Sequence, residues 1–190
     1  MDNAFLKSLF VQPPEVIGRQ LRPLSAWHIA ALMILDSPFA KARAVVTSAD
    51  LVIAVWVCSL RFEDGAAQLF PSPPEDVITE WGRDFDFESE LAAFQLYLDD
   101  YLDLPGVWMP DGGGRESGIP SPFHCVATVL CHMHGITEAR AWDMPFNLLV
   151  SYKSAIAEES GWEVVNERQQ GLLALADELN RKAAEAVKDG

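Results

Sequence analysis

Apolar residues recur along much of this chain at intervals of three and four residues, the spacing that lines one face of an α-helix. The clearest run covers residues 26–35. Ser25 stands directly before it, where an N-cap is expected, and Ser37-Pro38 follows it, which stops a helix. The pattern therefore predicts a helix over residues 26–35.

A second run covers residues 48–60, with Thr47 or Ser48 in position to cap it and Asp50 in its first turn. Many of its side chains are β-branched or aromatic, so a buried strand is the alternative interpretation. The length of the run and the capping residue favour a helix that is apolar nearly all round and central to the core.

The rest of the chain continues the helical pattern, and no alternating pattern longer than four residues indicates a strand. We predict one all-α domain over residues 1–190 with seven or eight helices. A Gly- and Pro-rich loop is expected at residues 104–122, and a polar helix end that frays at residues 180–190. Beyond the two runs above, helices are expected over residues 75–81, 87–102, 122–134, 138–142, 145–160 and 167–179.

The first twelve residues hold an apolar stripe at helical spacing, interrupted by Asp2 and Lys7. These charges break the continuous apolar stretch that a signal peptide needs. We expect the stripe to dock on the protein's own core, and a contact with a partner or a surface is the alternative. The stripe consists of Ala4, Phe5, Leu6, Leu9 and Phe10.

Composition limits the kind of partner. The 190 residues are 49% apolar, enough for a core, and their 28 acids against 14 basic residues give a net charge of −14. Such a charge repels phosphate backbones, so nucleic-acid binding is not expected. The longest apolar run, residues 51–58, is too short to span a bilayer. Cys58, Cys125 and Cys131 lie in apolar segments, which indicates reduced thiols and a cytoplasmic protein.

A cluster of thiols and imidazoles between residues 124 and 134 raises the question of a zinc site. The pairs His124 with Cys131 and Cys125 with His132 are seven residues apart, which is roughly 10 Å along a helix. Two ligands of one zinc ion must lie within roughly 4 Å of each other. We therefore expect no metal, although convergence of His124, Cys131 and His134 on zinc is the arrangement that a metalloenzyme would need.

The residue patterns that would indicate a catalytic site are as weak as the pattern for a zinc site. Cys131 and His132 are sequence neighbours, which point about 100° apart on a helix and cannot form a nucleophile–base pair. Residues 112–114 are glycines, but the Lys-Ser/Thr ending of a phosphate-binding loop is missing. His28 is expected to be a histidine of the core or its boundary. The sequence thus predicts a protein that is not an enzyme and needs no cofactor.

Residues 75–111 carry eleven acids and a single base, Arg83. A solvated surface is one interpretation, and a docking surface for a basic partner is the other. Aromatic residues are interleaved with the acids, as in a surface that anchors a protein partner. The residues that we predict to contact a partner are Trp81, Phe85, Phe87, Tyr101 and Trp108.

Three stretches of the chain resemble tail assembly chaperone-like proteins of tailed phages and prophages. They are Leu-Arg-Pro-Leu-Ser-Ala-Trp-His at residues 21–28 with Ser-Pro-Phe at 37–39; Asp-Leu-Val-Ile-Ala-Val-Trp-Val-Cys-Ser at 50–59; and Gly-Ile-Thr-Glu-Ala at 135–139, continuing through Asp-Met-Pro at 143–145 and Tyr152 to residues 158–161. Together they cover about a third of the chain.

This resemblance implies a small helical protein in the cytoplasm of the infected host. Such proteins coat the long, helical tape-measure protein and keep it soluble until tail tube subunits polymerise around it, and they are typically absent from the finished virion. The family has no catalytic residues to transfer. A protein partner of this kind, with possible self-association, is therefore expected. The alternatives are an acidic decoy that inhibits a basic host protein and a minor structural component of the tail.

Overall fold

The computed structural model describes residues 12–40, 45–69, 75–82, 84–102, 104, 107–108, 121–159 and 163–164. Within them the all-α prediction is confirmed, since eight helices account for most of these described residues. The N-terminal stripe, the final helix and most of the 104–122 loop lie outside the described residues. The helices are α1 (Ala26–Ile34), α2 (Ser48–Ser59), α3 (Phe62–Gln68), α4 (Glu75–Trp81), α5 (Phe87–Leu102), α6 (Pro122–His132), α7 (Glu138–Asp143) and α8 (Phe146–Glu159).

Helix α2 settles the choice between helix and strand. Thr47 Oγ1 accepts a hydrogen bond from the Asp50 backbone N–H at 3.2 Å, and Asp50 Oδ2 accepts one from the Thr47 N–H at 2.9 Å. This reciprocal cap satisfies donors that the first turn of a helix leaves unpaired. Seven residues of α2 are buried, as expected for a helix that is apolar nearly all round.

The described residues also contain four short strands that were not predicted. β1 (Glu15–Val16) pairs antiparallel with β2 (Arg19–Gln20), and β3 (Val107–Trp108) pairs antiparallel with β4 (Glu163–Val164). Two residues are too few to produce an alternating pattern that can be read from a sequence. The β3–β4 pair nevertheless joins the 104–122 segment to the chain that follows α8.

The β1–β2 turn places Ile17 and Gly18 at positive φ, 52° and 64°. Two-residue hairpins favour this geometry because it matches the twist of the strands, but a β-branched residue adopts it at a cost. The Ile17 N–H donates to Glu90 Oε2 of α5 at 2.7 Å, which fixes the turn against that helix. Arg19 adds a second tie, because its guanidinium lies 4.4 Å above the Trp81 ring.

The core lies between α1, α2, α5, α6 and α8, whose inward faces supply most of the fully buried side chains. Its largest members are Tyr97 and Phe94 of α5 and Phe146 of α8. The Tyr97 hydroxyl donates to the Arg22 carbonyl oxygen at 2.9 Å, so its polar end is satisfied. Among the described residues, no helix is long and apolar enough to cross a bilayer.

A chain of aromatic contacts connects α1, α3, α7 and α6. Trp27 meets Phe62 edge-on at 5.6 Å between ring centroids, and Phe62 stacks on Trp142 at 5.7 Å. Phe123 then meets Trp142 edge-on at 5.3 Å. Such pairs add specific geometry to the burial of apolar area, and here they hold the short helices α3 and α7 together.

Helix α3, which the sequence did not predict, takes its N-terminal cap from a distant residue. Asp143 Oδ1, at the end of α7, accepts a hydrogen bond from the Phe62 backbone N–H at 2.7 Å. The carboxylate also lies favourably at the positive end of the helix dipole. This contact links two elements that are 81 residues apart in sequence.

We expect Asp143→Ala to lower the free energy of unfolding by about 1 kcal/mol, because the first turn of α3 loses its acceptor. Asp143→Asn is the matched control, since it keeps an acceptor oxygen and should retain a large part of this stability. Urea unfolding followed by tryptophan fluorescence measures both. Equal losses in the two variants would show that charge rather than the hydrogen bond stabilises this junction.

Candidate functional site

An apolar groove opens between α1, the turn that follows it, the second half of α5 and the start of α6. Its volume is about 450 Å³. All but one of its lining residues are apolar, and none of the lining residues described is ionisable. They are Leu24, Ile29, Leu32, Met33, Phe39, Ala40, Leu98, Leu102, Ser121 and Pro122.

The groove forms because α1 is apolar on more than one face. One side of the helix packs into the core through Trp27 and its neighbours, while Ile29, Leu32 and Met33 line the groove. Leu98 and Leu102, four residues apart on α5, form part of the opposite wall. The groove is thus built from two helices that the core already holds in place.

The apolar surface of the groove continues to the outside of the molecule. Met33 lines the groove and is 45% exposed, and its neighbour Ile34 is 51% exposed. A surface helix normally carries polar residues at such positions. Contiguous exposed apolar surface marks a site for binding a protein or another apolar partner. Exposed acids stand beside it in sequence, Asp36 just after α1 and Asp99 between the two leucines of α5.

The predicted contact residues whose side chains the structure describes are Trp81, Phe85, Phe87 and Tyr101, and they do not gather at this groove. Trp81 is half-buried beneath Arg19, and Phe85 and Phe87 are half-buried against the core. None of the four whose side chains are described lines the groove. The backbone of Trp108 pairs with Glu163 in the β3–β4 sheet, and its side chain lies outside the described residues.

Tyr101 lies in the core rather than on a surface. Only 5% of it is exposed, and its ring is 5.3 Å from that of Tyr97. Burial, and then the neighbouring Asp100, raise the pKa of its hydroxyl. A partner that binds without rearranging α5 therefore cannot contact Tyr101, although the sequence predicted such a contact.

Several of the acids between residues 75 and 111 have structural roles. Glu90 holds the Ile17 turn, and Asp86 accepts a long hydrogen bond, 3.4 Å, from the Ser89 N–H in the first turn of α5. Six of the described acids are nevertheless exposed to solvent, so both interpretations of this region stay open. These six are Asp76, Glu80, Asp84, Asp86, Glu88 and Asp99.

His28 is a fully enclosed structural histidine. Its Nδ1 accepts a hydrogen bond from the Ser25 backbone N–H at 3.0 Å, so Nε2 carries the proton and donates to the Leu60 carbonyl oxygen at 2.9 Å. Burial, which outweighs the other influences, lowers its pKa to about 4. The imidazole therefore caps α1 as a neutral group, in the place where glutamate or glutamine usually completes a capping box.

The thiols and the other imidazoles do not assemble into a site. Burial raises the pKa of Cys58 to about 12, so at neutral pH this thiol is protonated and a poor nucleophile. Cys125 is buried, whereas Cys131 and its histidine neighbours are exposed. Across the part of the chain that the structure describes, no three histidine, cysteine or acidic side chains are grouped so that they could hold a metal ion.

Comparison of the chain with protein-family models, with curated proteins and with solved structures gives no match. The groove is thus the feature of the described structure that most directly suggests a function. Sequence reasoning missed it, although one signal was present: the last turn of α1 ends in Met33 and Ile34, with no polar residue to face solvent.

Proposed function

We propose that this chain is a tail assembly chaperone of a tailed phage or prophage. It binds the apolar face of a long, helical, tape-measure-like protein in the groove between α1 and α5 and keeps that partner soluble in the host cytoplasm. The observation that carries the proposal is the groove itself, an apolar cleft of about 450 Å³ whose rim leaves Met33 45% exposed. The sequence resemblance supplies the identity of the partner.

The groove suits a helix. An amphipathic helix presents apolar side chains every three or four residues, and a groove between two helices receives them as anchors. A cleft of about 450 Å³ has room for the anchors of only a turn or two. A long partner therefore needs several copies of the chaperone bound along its length.

The charge of the chain supports the same role. At a net charge of −14, loaded copies repel one another and resist association between complexes. The lining of the groove is apolar, so the charged surface and the binding surface are separate. The protein can thus cover an aggregation-prone helix while presenting a soluble exterior.

The test is co-expression with a long, helix-rich partner encoded beside this chain, followed by affinity capture and sizing. We expect Met33→Gln to weaken the complex at least tenfold. The substitution replaces a thioether that the partner buries with an amide of similar length that must be desolvated. Met33 is partly exposed at a helix end, so the fold should be retained.

Leu96→Gln is the matched control, because Leu96 is a large apolar residue of α5 that is 64% exposed but does not line the groove. It should leave the complex unchanged. Equal weakening by the two variants, or a soluble partner in the absence of this chain, would refute the proposal. Analytical ultracentrifugation of the captured complex gives the number of copies bound per partner.

The six exposed acids favour one alternative, an acidic decoy that binds a basic host protein. The two functions differ in their response to salt. Exposed charge pairs are largely screened at 1 M ionic strength, where the screening length is about 3 Å, whereas burial of apolar surface persists. A complex that dissociates in salt and ignores Met33→Gln would favour the decoy.

A further inference from the structure

We propose that residues 4–10 of the same chain occupy the groove in the free protein, so that an incoming helix must displace them. The docking is a property of the free protein. Its consequence, that the segment competes with a partner, rests on the proposed function.

The chemistry of the segment matches that of the groove. Residues 4–10 lie outside the described residues, but their sequence places Phe5, Leu6, Leu9 and Phe10 three and four residues apart. In an α-helix, such spacings would put the four side chains on one side. An apolar occupant suits the groove, because its lining is apolar and Met33 at its rim is 45% exposed.

The segment can reach the groove. The Leu21 N–H donates to the Pro14 carbonyl oxygen at 3.1 Å, which holds Pro14 beside Leu21. Leu24, only three residues further on, lines the groove and so lies within roughly 11 Å of Leu21 along the chain. Phe10 precedes Pro14 by four residues, a span of up to roughly 14 Å. The stripe is therefore tethered within reach of the cleft.

Charge and tethering favour this occupant over a second copy of the chain. A second copy brings a net charge of −14 to a molecule of the same charge. Residues 1–12, by contrast, contain one acid and one base, Asp2 and Lys7, and carry no net side-chain charge. A short tether also gives the segment an effective concentration in the millimolar range, which a free second copy does not reach in dilute solution.

Crosslinking of the free, full-length protein tests the docking. Phe10→Cys combined with Met33→Cys, in a Cys131→Ser background that removes the exposed thiol, is treated with a short bismaleimide. We expect an intrachain product as the main species. Phe10→Cys with Leu96→Cys is the matched control and should crosslink several-fold less. Mainly interchain dimers would assign the groove to a second copy, and equal yields from the two pairs would overturn the docking.

A second measurement keeps the inference testable if the thiols perturb the segment. The double variant Phe5→Ser and Phe10→Ser should raise the fluorescence of an apolar dye such as ANS several-fold over the wild type, because the vacated groove becomes accessible. Adding Met33→Gln should reduce that rise, whereas adding Leu96→Gln should not. No rise in the double variant would show that these two side chains do not cover the groove.

Binding of a helical partner then distinguishes the proposed docking of residues 4–10 from the proposed chaperone function. If both hold, the double variant captures a helical partner several-fold more tightly than the wild type does. If the crosslink forms but no partner binds either protein, the docking stands and the chaperone function fails. If the partner binds both proteins equally and no intrachain crosslink forms, the chaperone function stands and the docking fails.

Discussion

Gly65→Ala is expected to lower the free energy of unfolding by about 2–3 kcal/mol, an overpacking cost. In the interior of an ordinary helix the same change would be stabilising by about 1 kcal/mol. Gly65 is buried in α3, and a Cβ atom there would lie 2.8 Å from Cε2 and from Nε1 of Trp27 and still closer to Cζ2. The indole has little freedom to move away, because it is 5% exposed and packs edge-on against Phe62.

Urea unfolding of the wild type, Gly65→Ala, Trp27→Leu and the double variant forms a cycle that isolates this contact. Leucine at position 27 lacks the indole atoms that an alanine side chain would meet. We therefore expect the cost of Gly65→Ala to fall sharply, or to change sign, in the Trp27→Leu background. A cost that is the same in both backgrounds would mean that glycine is needed for another reason.

The helices that the sequence predicted well are those whose start signals are local. The Thr47–Asp50 cap of α2 and the Thr137 cap of α7, which accepts from the Arg140 N–H at 3.3 Å, each join residues three positions apart. Pro122 marks the first position of α6 in the same way. Such signals can be recognised in the sequence because the capping residue and its partner lie within one turn of the helix.

Helix α3 and the β1–β2 hairpin were missed because their stabilising contacts are long-range. The cap of α3 comes from Asp143, and Gly65 inside it argues against a helix unless its contact with Trp27 is known. The hairpin turn places Ile17 in a conformation that β-branched residues avoid, and the acceptor that fixes it, Glu90, is 73 residues away. No window of neighbouring residues contains both partners of either contact.

The groove also could not be predicted from the local sequence. The apolar pattern of α1 predicted a helix and a core, and both are present. Whether Met33 is covered depends on what packs against the end of α1, which periodicity does not encode. The aromatic residues among the acids were interpreted as partner contacts. That interpretation stays a prediction for Trp81, which lies beneath Arg19 of the hairpin and is only partly buried, whereas Tyr101 lies in the core.

Acidification is expected to destabilise the protein through His28, by up to about 3 kcal/mol at pH 4. The folded pKa is about 4, against 6.5 for an ordinary histidine, and burial is the main cause. Between these values the unfolded chain binds a proton that the folded chain does not. The free energy of unfolding therefore falls as the pH falls from about 6.5 to 4, and this histidine adds no pH dependence above that range.

The hydrogen bonds of His28 independently predict that acid lowers the free energy of unfolding. Both ring nitrogens are already engaged in the neutral form, since Nδ1 accepts from the Ser25 N–H and Nε2–H donates to the Leu60 carbonyl. A second proton would be added at Nδ1, facing the Ser25 N–H, so the cap of α1 must open before His28 can become charged. Protonation thus disrupts the helix that forms one wall of the groove.

Urea unfolding at pH 7, 6, 5 and 4.5 measures the effect, with His28→Gln as the matched control. Glutamine is an ordinary capping-box residue that can accept the Ser25 N–H and does not titrate. The variant should be less stable than the wild type at pH 7, and the difference should shrink as the pH falls. The carboxylates titrate in both proteins and largely cancel in this comparison. Parallel pH profiles would show that His28 remains neutral in the unfolded chain as well, or that the folded protein accommodates its charge.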